Sequence, residues 1–197
     1  ISGMSNLTVD VGEPVMLSAN NTPNLSDQVD TSAHEWDLDF DGQYELNRAW
    51  AETSWANPGN HTIRLRVHGT DGRLDSANVT FIVQDMTDPL AIINGGTNLV
   101  RGFGESFTLA SSSTDNHMID REEWWVDETL HTVQNGTGNS FVHTFFDGGD
   151  HEITLKAFDF AGRGDETSVE VNVRDISPPQ VGNIAGPKEV DVGDDRS

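Results

Sequence analysis

The chain contains no cysteine, which excludes a disulfide framework, a thiolate metal site and a thiol nucleophile. Lysine is almost missing: only Lys156 and Lys188 occur, and the remaining basic residues are arginine. Lysine and arginine together number 11 against 33 Asp and Glu, a formal net charge of −22 over 197 residues. A surface of that sign repels phosphate backbones and anionic lipid, so nucleic acid and charged membrane surfaces are excluded as partners. No apolar run approaches the ~20 residues of a membrane-spanning helix, so no membrane insertion is expected of this segment. No leader is visible at Ile1, and the expectation is a piece of a longer chain. His-Glu-x-x-His, Gly-x-Ser-x-Gly, phosphate-loop and dinucleotide fingerprints are all missing, and the chain is not expected to be an enzyme. What remains suffices for a core: 35% of residues are hydrophobic and 19 are glycine. Acid excess with scarce lysine also suggests a salty setting, where screening removes self-repulsion.

The chain repeats itself. Gly59-Asn60-His61-Thr62-Ile63-Arg64-Leu65-Arg66-Val67 returns 90 positions later as Gly149-Asp150-His151-Glu152-Ile153-Thr154-Leu155-Lys156-Ala157. The same shift carries Gly72-Arg73 to Gly162-Arg163, and Val79, Phe81, Val83 and Asp85 to Val169, Val171, Val173 and Asp175. Starts of units recur at Ile1-Ser2-Gly3, Ile93-Asn94-Gly95 and Ile184-Ala185-Gly186. This gives one unit at residues 1–86, a second at 89–176, and a linker with the first strand of a third at 177–197. The proline-bearing linkers should space the units semi-rigidly.

Within each unit the period is two. Ile63, Leu65 and Val67 alternate with polar neighbours, as do Val79, Phe81 and Val83, and the second unit copies both runs. Thr70-Asp71-Gly72-Arg73 marks the turn of a hairpin, and Phe160-Ala161-Gly162 its counterpart. Short strands with frequent turns in about 90 residues predict an all-β sandwich per unit; one larger barrel would conflict with the repeat.

The second unit reads Ser111-Ser112-Ser113-Thr114-Asp115-Asn116, Glu123-Trp124-Trp125, Phe141-Val142-His143-Thr144-Phe145-Phe146 and Asp159-Phe160-Ala161-Gly162; the first carries Trp36-Asp37-Leu38-Asp39-Phe40-Asp41-Gly42. These segments resemble the polycystic-kidney-disease-type (PKD) domain over nearly the whole chain. The first unit departs in having Thr53-Ser54-Trp55 for the His-Thr-aromatic strand, and the second in having Trp125-Val126-Asp127 for the Asp-rich loop. The resemblance implies tandem immunoglobulin-like antiparallel β-sandwiches in an extracellular or cell-surface protein. It implies Trp36 and Trp125 as core tryptophans and a packing role for His143.

Asp37, Asp39, Asp41 and Glu45 are the candidate metal ligands, and calcium the candidate ion, because Asp-x-Asp-x-Asp-Gly offers hard oxygens at the start of a calcium-type loop. An EF-hand fails at its twelfth position, Arg48. On a straight strand alternate residues lie about 6.5–7 Å apart, too far to share an ion, so chelation requires a curl at Asp39–Gly42; otherwise these acids are a solvated edge. Linker acids Asp85, Asp88 and Asp175, with Glu13 and Glu105, form a second candidate set between units, against chance clustering in so acidic a chain.

Trp50 and Trp55 lie in less regular sequence and are candidates for stacking on sugar rings, against ordinary packing. His61 and His151 align in the repeat without implying chemistry. Asn6, Asn20, Asn24, Asn60 and Asn135 are glycosylation candidates, with Asn78 the weakest because it falls on a strand. The expected role is a structural or adhesion module of a surface stalk, lattice or filament, its partners being other copies or neighbouring domains. The alternative is a polysaccharide-binding or spacer module of a secreted hydrolase. A strand after Pro187 could also complete a neighbouring sheet.

Overall fold

The computed structural model describes residues 7–19 and 29–180, with the backbone alone for 29–33, together with Gly182 and Gly186. Asn6, Asn20, Asn24 and the strand expected after Pro187 lie outside the described residues.

The first unit comprises β1 (Leu7–Asp10), β2 (Val15–Ser18), β3 (Val29–Asp37), β4 (Leu46–Asn47), β5 (Trp50–Thr53), β6 (Gly59–Gly69) and β7 (Leu74–Gln84). One sheet has the order β1-β7-β6-β3-β4; β2 and β5 form the other. The second unit comprises β8 (Ile93–Asn94), β9 (Asn98–Gly102), β10 (Ser106–Ser111), β11 (Ile119–Val126), β12 (Thr129–Asn135), β13 (Ser140–Thr144), β14 (Gly149–Asp159) and β15 (Gly164–Arg174). Its sheets run β12-β11-β14-β15-β9 and β13-β10-β8. The protein is therefore all-β, two immunoglobulin-like sandwiches in tandem, with every ladder confined to one unit. Pairing is antiparallel except where an early strand of each unit lies against its last, β1 on β7 and β9 on β15. Those two pairs run parallel because the whole unit acts as the crossover between them.

The predicted hairpins form with their repeat intact. Strands β6 and β7 map onto β14 and β15 under the 90-residue shift, from Gly59 to Gly149 and from Gln84 to Arg174. Ile63 stands opposite Val79, and Ile153 opposite Val169. The alternating apolar side chains bury between the sheets: Ile63, Leu65, Phe81 and Trp36 gather with Ala51 in one core, and Ile153, Leu155, Val171 and Trp124 with Phe107 and Phe141 in the other.

The second core corrects one expectation. Its buried tryptophan is Trp124, fully covered and stacked on Phe141 at 5.0 Å, not Trp125. Trp125 points out of the sandwich, with the Lys156 ammonium 5.1 Å from its ring. The cause lies two residues earlier. Glu122 also faces inward, fully buried, accepting hydrogen bonds from the Ser111 hydroxyl and from Asn139 Nδ2. Glu122 and Trp124 share one face of β11. His143 packs as expected, among Phe141, Phe145 and His131. Burial, reinforced by the neighbouring His131 and His151 charges, holds its imidazole below the ordinary histidine range.

Two carboxylate clusters as candidate metal centres

Asp37 ends β3, and the chain then leaves the strand. Phe40 adopts φ 63° and Gly42 φ 91°, so the backbone turns back on itself over Asp39–Gly42. Glycine carries this conformation without a steric penalty; Phe40 does so under the Arg64 guanidinium, 4.3 Å from its ring. Arg66 covers the Tyr44 ring in the same way at 3.7 Å and pairs with Glu35 at 2.6 Å. These arginines of β6 pin the loop to the sheet, a contribution the sequence pattern did not reveal.

The curl draws one carboxylate oxygen from each of Asp37, Asp39, Asp41 and Glu45 to within 4.8 Å of one another. The segment is thus curled and not a straight strand, while Asp39, Asp41 and Glu45 remain exposed to solvent. Hydrogen bonds inside the loop hold its shape: Gly42 N–H donates to Asp37 Oδ2 (3.1 Å), Asp41 N–H to Asp39 Oδ1 (3.2 Å), Gln43 N–H to Asp41 Oδ1 (2.7 Å) and Leu38 N–H to Glu45 Oε2 (2.8 Å). Asp37 is fully buried, and its Oδ1 has no hydrogen-bond partner.

A second cluster lies where the two sandwiches meet. Asp85 follows β7, Asp115 lies between β10 and β11, and Asp159 ends β14; their carboxylates again approach within 4.8 Å. Asp85 is 8% exposed and Asp159 1%. Neither Asp85 oxygen has a hydrogen-bond partner of good geometry, nor has Asp115 Oδ1 or Asp159 Oδ2. The other oxygens are used locally: His117 N–H donates to Asp115 Oδ2 (3.0 Å) and Arg163 N–H to Asp159 Oδ1 (2.8 Å). Burial first, then the Asp115 and Asp159 charges, push the Asp85 carboxyl above its ordinary value.

The joint around this cluster is hydrogen-bonded across the units. Asn116 Nδ2 donates to the Val11 carbonyl and to Thr87 Oγ1, both at 3.2 Å. Arg163 donates to the Asp85 carbonyl (3.4 Å) and to Asp88 Oδ1 (3.1 Å). Asp10 accepts from the amides of Val11 and Met86 and from the Thr87 hydroxyl. Burial pushes Asp10 upward, but those hydrogen bonds outweigh it and leave the carboxyl below its ordinary value.

Of the linker acids read from the sequence, only Asp85 enters the cluster. Asp88 pairs with Arg163, and Asp175 is exposed, accepting from the Ser177 amide. Glu13 and Glu105 instead clamp tight turns within their own units: each carboxylate accepts the amide three residues earlier, Asp10 and Gly102 respectively. Asp115 and Asp159 stand in the segments that carry the family resemblance but not among the candidate ligands, and the repeat gives no signal for Asp159, which corresponds to Gly69 in the first unit.

Trp50 is half exposed with Arg48 over its ring at 3.7 Å, whereas Trp55 packs toward the first core against Phe81 (5.1 Å) and His61 (5.2 Å). Asn60, Asn78 and Asn135 are exposed. His151 Nδ1 donates to Asp127 Oδ2 (2.7 Å); burial lowers its pKa, but Asp127 and Asp147 more than offset this and raise it.

No protein-family model matches the chain. In sequence it is similar to the mouse Dyslexia-associated protein KIAA0319 homolog, 22% identical over 198 residues, covering 95% of this chain and 18% of that protein. It is also similar to human Dyslexia-associated protein KIAA0319, 29% identical over 137 residues, covering 66% of this chain and 13% of that protein. The chain thus spans only a small part of these relatives. Among solved structures it is similar to the Clostridium thermocellum CbhA fibronectin(III)-like modules (TM-score 0.45, 17% identity, 92% of this chain and 97% of that one). It is likewise similar to titin domains Z1Z2 in complex with telethonin (TM-score 0.46, 13% identity, 87% and 93%).

Proposed function

We propose that this chain is a stretch of an extracellular surface protein built from repeated PKD-type sandwiches, acting as a stalk, lattice or adhesion array. The observation that carries the reading is the joint: two sandwiches are bonded to one another through Asn116 and Arg163 across a short proline-bearing connection. Such a connection sets the direction of one unit relative to the next, which is what a load-bearing or spacing element requires. Calcium at Asp37, Asp39, Asp41 and Glu45 would stiffen the first unit by neutralising four gathered carboxylates. Asn60 and Asn135 stand exposed, as carriers of surface glycan must. Its partners in this reading are neighbouring domains of the same assembly.

The test is antibody labelling of intact source cells with serum raised against this chain, before and after permeabilisation. Labelling of intact cells, lost on protease shaving, is expected. Labelling only after permeabilisation would overturn the reading. Calcium at the loop is checked by thermal unfolding of wild type and Asp39→Ala/Asp41→Ala with and without calcium; a rise in wild type that shrinks in the variant is expected.

A further inference from the structure

We infer that Asp85, Asp115 and Asp159 form a calcium site at the junction of the two sandwiches, and that the bound ion locks one unit onto the next. This deepens the reading of a repeated array, but it rests on different residues from the Asp37 loop.

Proximity of acids is not the argument, since 33 acids guarantee some. The argument is the unsatisfied oxygens. Asp85 and Asp159 are more than nine-tenths buried, and three of their four carboxylate oxygens have no hydrogen-bond partner of good geometry, the Thr87 amide standing near Asp85 outside such geometry. Asp115 contributes a fourth oxygen without a partner, and its carboxylate approaches the other two within 4.8 Å. Buried carboxylates without partners are costly, and native structures resolve them by pairing or by binding a cation. The nearby arginine does not serve: Arg163 is committed to the Asp85 carbonyl and to Asp88, and its amide, not its guanidinium, meets Asp159.

The donor set names the ion class. All three ligand groups are carboxylates, which favours a hard divalent cation over zinc or copper. Oxygens on opposite sides of a calcium ion at about 2.4 Å would be about 4.8 Å apart, and the three carboxylates lie within 4.8 Å of one another. Calcium takes six to eight ligands, so carbonyls or water would complete the shell around these three.

The ligands also come from both sides of the joint. Asp85 leaves the last strand of the first unit, while Asp115 and Asp159 belong to the near end of the second. Asp85 is buried where it meets Asp115 and Asp159 of the second unit. Without the ion, three like charges face one another across the contact and push the units apart. With it, the same charges pull them together.

The experiment uses the whole chain with the loop disabled by Asp39→Ala/Asp41→Ala, so that the joint is read alone. Calcium uptake is measured by calorimetry, and inter-unit geometry by small-angle scattering, in chelator and in calcium. Expected are about one ion per chain in the loop variant, a narrower distance distribution with calcium, and weakening by at least about tenfold on adding Asp159→Asn, because affinity follows ligand charge count. Asp85→Asn is the second variant, should Asp159→Asn fail to fold by near-ultraviolet dichroism. No uptake by the loop variant at millimolar calcium, or uptake unchanged by both joint substitutions, would overturn the inference. Neither result bears on cell-surface labelling, and loss of loop binding alone leaves the joint site standing.

Discussion

The two carboxylate clusters look alike in chemistry and differ in how they are made. The loop cluster takes four acids from nine consecutive positions and bonds one oxygen of each to its own backbone amides. Three of the four are exposed, and water shares the cost of gathering them. The joint cluster takes three acids from distant parts of the chain, buries two of them and leaves four oxygens without partners. The loop is therefore shaped by its own amides, whereas the joint holds buried like charges together. The same ion would add local stiffness in the first case and couple two units in the second.

That contrast can be broken at several points. The largest effect expected is from calcium itself: at a hundredfold excess over Kd a single site stabilises by about 2.7 kcal/mol. Thermal unfolding in calcium against chelator should show the joint responding even in the loop variant; equal melting temperatures would dissolve the distinction.

Next is a reversal of sign. In chelator, Asp85→Asn should stabilise the tandem by about 1–2 kcal/mol, because it removes a buried like charge and its amide can donate to the remaining carboxylates. In calcium the same change should destabilise it. Asp39→Asn, on an exposed loop, should stay within about 0.5 kcal/mol in chelator. Urea unfolding under both conditions checks the pair.

Gly42→Ala should cost about 1 kcal/mol. No atom lies within 4 Å of the added methyl group, so the cost is the φ of 91° and not a clash. It should lower calcium affinity at the loop and leave the joint untouched, as calorimetry would show.

Acidity separates the clusters through Asp85. Its folded pKa lies above the ordinary 3.8, so the folded state binds the extra proton. In chelator, the contribution of Asp85 to stability should therefore rise as pH falls through the raised value toward 3.8. His143, held low, works the other way and loses stability below its ordinary 6.5. The difference between wild type and Asp85→Asn across pH isolates the aspartate, and a flat difference would contradict the buried repulsion.

The smallest effect is from salt. At 1 M, screening shortens to about 3 Å, which should raise the urea midpoint of so acidic a chain by relieving exposed charges such as Asp39 and Asp41. The gain from Asp85→Asn in chelator should survive that salt, because buried charges are screened far less.

The twin tryptophans show where a sequence pattern loses its phase. Trp36 was legible because the residues around it alternate cleanly. In β11 the inward face reads Glu122-x-Trp124, and a charged residue on the core side disguises which tryptophan follows it. Only Ser111 and Asn139, from other elements, make that glutamate tolerable inside. Trp55 shows a related effect. Trp55 lies outside regular sequence, yet Phe81 of β7 offers it a place against the core.

By itself the sequence determined the repeat, the paired hairpins, the all-β tandem and the acids of the Asp37 loop. Each of these depends on residues close in the chain or on a period of two, which local sterics and burial enforce. The tertiary structure alone decided which tryptophan is the core of the second sandwich, how Arg64 and Arg66 pin the loop, and that Asp85 meets Asp115 and Asp159. Those contacts join residues separated by whole strands, and no local rule of spacing carries that information. They exist because two finished sandwiches bring their ends together.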